Sequence, residues 1–321
     1  MKKILVIGGA GYIGSHMVRA LLDANCEPVI FDNLSTGHRD TVPRGVPFIK
    51  GDLRNEKDIE KAFVRFDVEA VMHFAASSLV GESVVDPLKY YDNNVCSCIN
   101  LLKVMAKHKV KRMVFSSTAA VYGEPEKVPI TEDALLVPTN PYGHSKLMIE
   151  RIIEDVACIK GVEYIFLRYF NVAGAHSSGE ISERHDPETH LVPNVLKSIK
   201  GKAKVLTVFG NDYKTPDGTC VRDYVHVEDL CRAHLLALKA LKQGIKNQVF
   251  NLGNGSGFSI MQIIKATELV TGKEVKYKVG SRRAGDPARL VASSVKAKKI
   301  LGWQPTMGIE EIISSAWKSV S

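Results

Sequence analysis

A glycine-rich stretch near the amino terminus constrains the fold of this chain more than any other feature. Gly8-Gly9-Ala10-Gly11-Tyr12-Ile13-Gly14 follows the apolar run Lys3–Ile7 and opens a segment with helical periodicity, Tyr12–Asp23. Glycines here allow a tight strand-to-helix turn and let the backbone approach a pyrophosphate at the positive end of the helix. Asp32 ends the second apolar run, where a carboxylate hydrogen-bonds an adenosine ribose and repels a 2′-phosphate. The stretch therefore predicts a dinucleotide-binding unit that takes NAD rather than NADP.

Strand-like and helical segments alternate through the first half of the chain. The helical segments are 12–23, 55–66, about 83–107 and 142–160, and between them lie the apolar runs Lys3–Ile7, Pro28–Phe31, Val46–Ile49, Ala70–Phe74, Arg112–Ser116 and Tyr164–Leu167. This alternation predicts an α/β fold with a doubly wound parallel sheet of Rossmann type. The pattern loosens after about residue 172. We expect residues 1–172 to form an NAD-binding domain, with about 225–253 returning to it, and 173–321 to form a smaller mixed α/β substrate domain.

Composition excludes several classes of function. No apolar run approaches the roughly 20 residues that a membrane-spanning helix needs, so we expect no membrane partner. The net charge of +8 is dispersed, and its densest cluster, Lys107–Arg112, lies where a helix should end, so we expect no nucleic-acid partner. The six cysteines have no metal-ligand spacing. They predict reduced thiols, a cytoplasmic protein and no metal site.

The segment Pro141–Lys146, PYGHSK, is the best candidate for the chemistry. Pro141 suits the first position of a helix, and Tyr142 and Lys146 then lie one turn apart on the same face. A lysine ammonium beside a phenol lowers its pKa, which makes Tyr142 a candidate general base. The alternative is an exposed helix face, because one such pair is expected by chance among ten tyrosines.

Small or polar residues follow several predicted strands, where ligands bind in open α/β sheets. These residues are Gly51-Asp52, Phe74-Ala75-Ala76 and Ser116-Ser117-Thr118. The Thr118 hydroxyl could bind a substrate hydroxyl beside Tyr142, or it could satisfy its own turn.

These motifs resemble those of a known family. The segments that carry the resemblance are GGAGYIGSH (8–16), FDNLS (31–35), GDL (51–53), HFAA (73–76), VGES (80–83), SSTAAVYG (116–123), NPYGHSK (140–146), LRYFNVAG (167–174), FGNDYKTPDGTCVRDYVHVEDL (209–230) and RRAGD (282–286). Over essentially the whole chain they resemble the extended short-chain dehydrogenase/reductases. The last two segments are similar to the branch of sugar-nucleotide 4-epimerases that interconvert UDP-galactose and UDP-glucose, an activity of galactose metabolism.

The resemblance implies that the sugar is oxidised at C4, turned over as a 4-keto sugar, and reduced on its other face. It implies the catalytic residues Thr118, Tyr142 and Lys146. It implies NAD contacts at Gly8, Gly11, Tyr12, Ile13, Gly14, Asp32, Asn33, Leu34, Ser35, Asp52, Leu53, Phe74, Ala75, Ala76, Asn93, Ser116, Tyr142, Lys146 and Phe170. It implies UDP-sugar contacts at Thr118, Tyr142, Asn171, His190, Leu191, Phe209, Arg222, Arg283, Asp286 and Leu290, with the two arginines on the diphosphate.

Two positions depart from the family pattern or bear on specificity. His190 stands where an asparagine is frequent, and Leu290 falls where side-chain size is thought to decide whether an N-acetyl group fits. A leucine favours UDP-glucose and UDP-galactose. The alternatives are an epimerase acting on UDP-N-acetylhexosamine or UDP-glucuronate, and a dehydratase or decarboxylase of the same family. Ala119 and Ala120 after Thr118 count against a dehydratase, which usually has acidic residues there. A non-catalytic NAD-bound sensor is the third class, and the intact catalytic residues argue against it.

The resemblance also implies a homodimer. Related proteins pair two helices of each subunit in a four-helix bundle. The corresponding segments here carry apolar residues beyond one stripe, namely Val95, Leu101, Leu102, Val104, Met105, Leu147, Ile149, Ile152, Ile153 and Val156.

Overall fold

The computed structural model describes residues 2–201, 205–282 and 286–320. The strands are β1 (Lys3–Ile7), β2 (Pro28–Asp32), β3 (Phe48–Lys50), β4 (Val68–His73), β5 (Arg112–Thr118), β6 (Glu163–Tyr169), β7 (Asn171–Ala173), β8 (Leu206–Phe209), β9 (Val221–Arg222), β10 (Tyr224–His226), β11 (Gln248–Leu252), β12 (Phe258–Ser259), β13 (Tyr277–Gly280) and β14 (Arg289–Leu290). The helices are α1 (Tyr12–Asp23), α2 (Glu56–Arg65), α3 (Val80–Val85), α4 (Pro87–Tyr90), α5 (Ser97–Lys107), α6 (Pro141–Lys160), α7 (Leu191–Ile199), α8 (Val227–Lys242), α9 (Ile260–Thr271), α10 (Val295–Leu301) and α11 (Ile309–Val320).

Seven parallel strands form the main sheet, in the order β11-β6-β5-β4-β1-β2-β3. Alternate side chains of β1 enter two separate cores, because successive residues of a strand point to opposite faces. Ile4 and Val6 pack against α1 and α8, whereas Leu5 and Ile7 pack against α2, α5 and α6. The strand order reverses at β1, which lies between β2 and β4. This arrangement confirms the predicted doubly wound α/β fold.

The rest of the chain builds three small sheets beside the main one. β7 pairs with β10, β8 with β13, and β9 lies between β12 and β14. The pair β9–β12 is antiparallel and the others are parallel, so this region has the predicted mixed α/β character. Helices α7, α9 and α11 enclose its core, which includes Val192, Ile263 and Ile312. Part of the chain after β6 returns to the main sheet. β11 pairs with β6, and α8 packs on the same side of the sheet as α1.

Two elements differ from the prediction, and a third segment is divided in the structure. The single helix expected over about 83–107 is interrupted at Asp86-Pro87 and continues through a π-helical segment, Tyr91–Cys96. Pro87 cannot donate a backbone hydrogen bond, so a new helix starts there, capped by Asp86. The segment 221–226 forms two strands, β9 and β10, separated by Asp223, whose carboxylate accepts hydrogen bonds from the backbone of other segments. β5 runs on to Thr118, so the three hydroxyl residues end the strand instead of following it.

Within the described ranges, no helix combines the length and apolar character needed to cross a bilayer.

Candidate active site

The glycine stretch Gly8–Gly14, called the glycine loop below, turns tightly between β1 and α1. Gly8 has a φ of +78°, and a Cβ on Gly14 would lie 2.0 Å from the Gly8 carbonyl oxygen. Both positions therefore require glycine. α1 begins at Tyr12 beside this turn, and among the described residues no side chain caps its N-terminus and no acidic residue lies in its first turn. Its free N–H groups form a site for a phosphate at the point where the strand order reverses.

Asp32 ends β2 with its carboxylate buried at 7% exposure. Oδ2 accepts a hydrogen bond from Ala10 N at 2.9 Å and Oδ1 accepts one from Leu34 N at 2.8 Å. A carboxylate has further lone pairs, so ribose hydroxyls can still be accepted. Leu34 has a φ of +62°, an uncommon value for a residue with a side chain, so the turn after β2 is held in an unusual conformation.

The end of β3 lies next to the end of β2. Asn33 Nδ2 donates to Asp52 Oδ2 at 3.1 Å, and the Arg54 guanidinium donates to the same carboxylate at 2.8 Å and 3.0 Å. Arg54 holds the pKa of Asp52 well below its usual range. Asn33 Oδ1 in turn accepts from Ser35 N at 2.9 Å. The predicted NAD residues at these two strand ends are thus joined by hydrogen bonds.

The end of β4 and the π-helical segment approach from the other side. Ala75 lies so close to the glycine loop that a Cβ on Gly8 would be 2.7 Å from its nitrogen. Phe74 packs against the ring of His234 of α8, with ring centroids 4.8 Å apart and the planes tilted by 39°. Asn93 donates to Ser77 Oγ at 3.1 Å, just beyond Ala76.

Tyr142 and Thr118 meet at the end of β5. Asn140 caps α6 by accepting from Gly143 N at 2.9 Å, and Pro141 is the first helical residue, as predicted. This fixed start brings the half-buried Tyr142 hydroxyl into a hydrogen bond with Thr118. Thr118 also accepts from Ala120 N at 3.2 Å, so its hydroxyl serves both its own turn and Tyr142.

The pKa of Tyr142 differs from the prediction. Burial raises it above its usual value, and the Thr118 hydrogen bond opposes that shift only in part. The predicted lowering is therefore wrong for the protein alone, because desolvation outweighs the neighbouring groups.

Lys146 is 3% exposed and lies beneath the site. Its Nζ donates to the Ser116 carbonyl at 2.9 Å and lies 4.9 Å from the centre of the Phe115 ring. Burial lowers the pKa of Lys146 to about 8, against the opposing effect of Glu150. Ser116 Oγ is bonded to the Tyr169 hydroxyl. The exposed helix face considered above is thus excluded for Lys146.

A buried network that the sequence analysis missed supports α6. Glu150, one turn after Lys146, is bound by Arg168 of β6 through Nε at 3.0 Å and Nη2 at 2.5 Å. Arg168 Nη1 donates to Tyr122 at 3.0 Å, and Tyr122 donates to Asn251 at 2.7 Å. The sequence signal for this network was Glu150 within an apolar helix face and Arg168 within an apolar strand. The network fixes α6 to β6 and β11.

The predicted UDP-sugar residues lie on several elements beyond this sheet edge. Arg222 and Asp286 form an ion pair with each other, and Arg222 also donates to the Val221 carbonyl at 2.7 Å. Phe209 ends β8, and Asn171 begins β7, where its N donates to the Asp223 carbonyl at 3.1 Å. Arg283 lies outside the described residues.

Leu290 lies close to the end of β5. It packs with Phe170 against the turn that follows Thr118, in a cluster that includes Ala119 and Tyr122. Residues 290 and 118 are far apart in sequence; β14 is positioned by its pairing with β9, and the residues after it by the bridge between Ile130 and Ala292.

Asp223 is a second buried residue that the sequence analysis missed. It accepts from Asn254 N at 2.6 Å, Gly255 N at 2.9 Å and Ala292 N at 3.0 Å, and it is fully buried. It therefore holds the loops after β11 and β14 beside Arg222.

His190 and Leu191 begin α7. His190 is bonded to Glu183, and Glu183 and Glu188 are nearly buried beside Tyr12. Burial and these carboxylates raise the pKa of the Tyr12 hydroxyl, which donates to the Gly174 carbonyl at 2.6 Å.

The residues present fit a dinucleotide. A close-packed glycine turn, an uncapped helix N-terminus and a buried acidic residue at the next strand end form the required cradle. The sequence pattern of the NAD dependent epimerase/dehydratase family matches residues 4–253.

Known relatives cover almost the whole chain. UDP-glucose 4-epimerase from Lactobacillus helveticus is 52% identical over 98% of this chain and 96% of its own length. The crystal structure of UDP-glucose 4-epimerase from Brucella ovis in complex with NAD has a TM-score of 0.96 at 44% identity, over 99% of this chain and 98% of that one. The enzyme from Bifidobacterium longum in complex with NAD+ and UDP gives 0.94 at 40% identity, over the same shares. The chain belongs to the NAD dependent epimerase/dehydratase family.

Proposed function

We propose that this chain interconverts UDP-galactose and UDP-glucose with tightly held NAD. The observation that carries the proposal is the hydrogen bond between Tyr142 and Thr118, with buried Lys146 one helical turn on and the glycine loop at the same sheet edge. NAD would be held by the glycine loop, Asp32 and the ends of β3, β4 and β5. When bound, it supplies a hydride acceptor for C4 of the sugar and a positive charge.

Tyr142 acts as the general base and acid. Its phenolate oxygen takes the proton from the sugar 4-hydroxyl and later returns it, while Thr118 holds the reacting oxygen by its own hydroxyl. Because burial raises the pKa of Tyr142, the phenolate needs a cation. Lys146, buried one helical turn along α6, is the cation that we assign to this role, and burial lowers its own pKa to about 8.

The second half of the chain supplies the grip on the UDP moiety. Arg222 and Arg283 bind the diphosphate, where a guanidinium matches phosphate oxygens, and Asp286 takes the uridine ribose. Arg222 forms an ion pair with Asp286, so the residues that we assign to the diphosphate and to the ribose lie side by side. Phe209 packs on the uracil, and Asn171, His190, Leu191 and Leu290 border the sugar. A grip confined to the UDP moiety leaves the 4-keto sugar free to turn over.

The division of labour follows the chain. We assign residues 1–172, with about 225–253, to NAD and residues 173–321 to UDP-sugar; the pairing of β11 with β6 supports the return of 225–253.

The chain acts as a cytoplasmic homodimer in galactose metabolism. All six cysteines are free thiols, which suits a reducing compartment. Of the apolar residues that suggested a four-helix bundle, Leu101, Met105 and Ile153 are buried within the subunit. Exposed Met148 and Ile159 of α6 and Leu88 of α4 remain to line the dimer contact.

The test is a comparison of Tyr142→Phe with Tyr277→Phe, a matched change on an exposed strand. Conversion of UDP-galactose is followed by chromatography, and bound NAD is counted after unfolding. Tyr142→Phe should lose about 10²- to 10⁴-fold in turnover and keep its NAD. Near-normal turnover in Tyr142→Phe would defeat the proposal.

A further inference from the structure

The loop between β7 and α7 carries a cluster of four side chains, of which the proposed chemistry uses only His190. The loop is fastened over the glycine loop and the turn after β2: Arg184 pairs with Asp40 at 2.6 Å and 2.9 Å, and His38 Nε2 lies 3.0 Å from the Arg184 carbonyl. Glu183, on one side of Arg184, turns inward toward Tyr12.

Four side chains converge just beyond this point. Glu183, His185, Glu188 and His190 each present one oxygen or nitrogen atom, and these atoms all lie within 4.8 Å of one another. The imidazole rings of His185 and His190 meet edge to face, with centroids 5.2 Å apart. Two imidazoles and two carboxylates therefore point into one small volume.

The spacings fit a common metal ion. His185 Nδ1 lies 3.1 Å from Glu183 Oε1 and 3.9 Å from Glu188 Oε1, and His190 Nδ1 also lies 3.9 Å from Glu188 Oε1. Ligands of tetrahedral zinc, at bond lengths of about 2.0–2.2 Å, are separated by about 3.3–3.6 Å. His190 and Glu183, which are in direct contact, would part slightly to admit the ion.

The cluster is also incompletely satisfied by the protein. The Glu188 side chain is 3% exposed, yet its Oε2, like His185 Nδ1, is buried and has no hydrogen-bond partner among the described residues. Lys197 Nζ lies 3.9 Å from Glu188 Oε2, beyond hydrogen-bonding distance. A buried carboxylate oxygen without a hydrogen bond is costly, and a cation in the cluster would satisfy it together with the imidazole nitrogen.

We propose that Glu183, His185, Glu188 and His190 bind one divalent transition-metal ion of the zinc class. Two carboxylates balance the charge of a divalent ion, and two neutral imidazoles select zinc, cobalt or nickel over magnesium or calcium, which prefer oxygen ligands alone. The ion fastens the loop to the start of α7 at a point close to Tyr12. This inference goes beyond the proposed function and stands or falls separately from it.

The test measures metal on the full-length protein, with no substrate present. Wild type and two variants, His185→Ala and Glu188→Gln, are stripped with a chelator, dialysed against zinc and analysed by elemental mass spectrometry. His108→Ala is the matched control, because His108 also contacts a glutamate, Glu60, at 3.3 Å on another surface. Wild type and His108→Ala should retain about one zinc per chain. The two cluster variants should bind it at least about tenfold more weakly.

Equal zinc binding in wild type and the two cluster variants would overturn the proposal, as would wild type that retains no zinc. Cobalt substitution in the wild-type protein gives an answer that does not depend on the variants folding. Visible d–d bands without a thiolate charge-transfer band support the nitrogen and oxygen ligand set. A thiolate band would assign the ion to cysteine and contradict it.

Discussion

Asp32 Oδ2 accepts a hydrogen bond from the backbone nitrogen of Ala10 at 2.9 Å, so the carboxylate that ends β2 also holds the glycine loop. One side chain thus shapes the phosphate turn and presents its charge where the adenosine ribose would lie. A single carboxylate performs both tasks. A substitution that removes its charge but keeps a hydrogen-bond acceptor therefore separates them.

Asp32→Asn keeps an acceptor for one backbone N–H and removes the negative charge. We expect the preference for NAD over NADP to fall at least about tenfold, since a charge-assisted hydrogen bond is worth about 1.5–3 kcal/mol and the repulsion of a 2′-phosphate disappears. Calorimetric titration of both dinucleotides into nucleotide-free protein measures the ratio. Asp23→Asn, at the exposed end of α1, is the control. An unchanged ratio would show that Asp32 does not face the ribose.

Thr118→Val removes the hydroxyl with little change of shape. Because the Thr118 hydrogen bond lowers the pKa of Tyr142, its loss should move the basic group of the pH–rate profile to higher pH. Turnover near neutral pH should fall by about 10- to 100-fold. Thr118→Ser keeps a hydroxyl and should restore most of the rate. If Thr118→Val and Thr118→Ser have the same profile, the hydroxyl has no role in the reaction.

The buried pair Glu150–Arg168 should contribute strongly to stability. Glu150→Ala leaves the Arg168 guanidinium, 4% exposed, without its partner, and we expect a loss of about 3–5 kcal/mol in the free energy of unfolding. Arg151→Ala breaks an exposed pair with Glu154 at 3.0 Å and should cost less than about 1 kcal/mol. Denaturant unfolding measures both. Equal small losses would mean that the buried pair does not anchor α6.

Acid should destabilise the fold through buried histidines. Burial lowers the pKa of His16 and His234 to about 4 and that of His73 to about 3. Between pH 6.5 and 4 the unfolded chain binds more protons than the folded one, so stability falls as pH falls. Each of the first two shifts corresponds to about 3 kcal/mol.

His234→Gln removes one of these groups and should lower the pH of the acid-unfolding midpoint relative to wild type. His144→Gln, at an exposed position of α6, should leave the midpoint unchanged. Circular dichroism along a pH titration records the midpoint. Identical midpoints for wild type and both variants would exclude His234 as a source of acid sensitivity.

Leu290 offers a test of specificity. Leu290→Ser opens space beside Phe170 and the turn after Thr118, so turnover of UDP-N-acetylglucosamine relative to UDP-glucose should rise at least about tenfold. Both rates are measured by chromatography on the same preparation. A ratio that does not change would place the N-acetyl group elsewhere.

Local pattern was sufficient to predict the main sheet and the tight turn between β1 and α1. Three features can be recognised from residues close by in the sequence. They are the strand-to-helix turn at Gly8–Gly14, the acidic residue Asp32 and Pro141, which starts α6. The structure therefore places Asp32, Thr118, Tyr142 and Lys146 at one edge of the sheet, as expected from parallel strands.

Contacts between distant segments could not be derived from local pattern. Asp223 separates β9 from β10, and its carboxylate accepts hydrogen bonds from nitrogens 31, 32 and 69 residues away. The raised pKa of Tyr142 depends on burial, which spacing does not reveal. The Glu183–His190 cluster was overlooked because metal spacing was sought around cysteines. Its glutamates and histidines alternate along the sequence, and their oxygen and nitrogen atoms come within 4.8 Å of one another because the loop folds back on itself.

The most direct test of the account is incubation of the purified protein with UDP-galactose and no added NAD, with the nucleotide sugars resolved by chromatography and reduced-nicotinamide absorbance recorded. If the proposed function is correct, UDP-glucose forms without net accumulation of reduced cofactor. UDP-galactose that remains unchanged while NAD stays bound to the protein would contradict it.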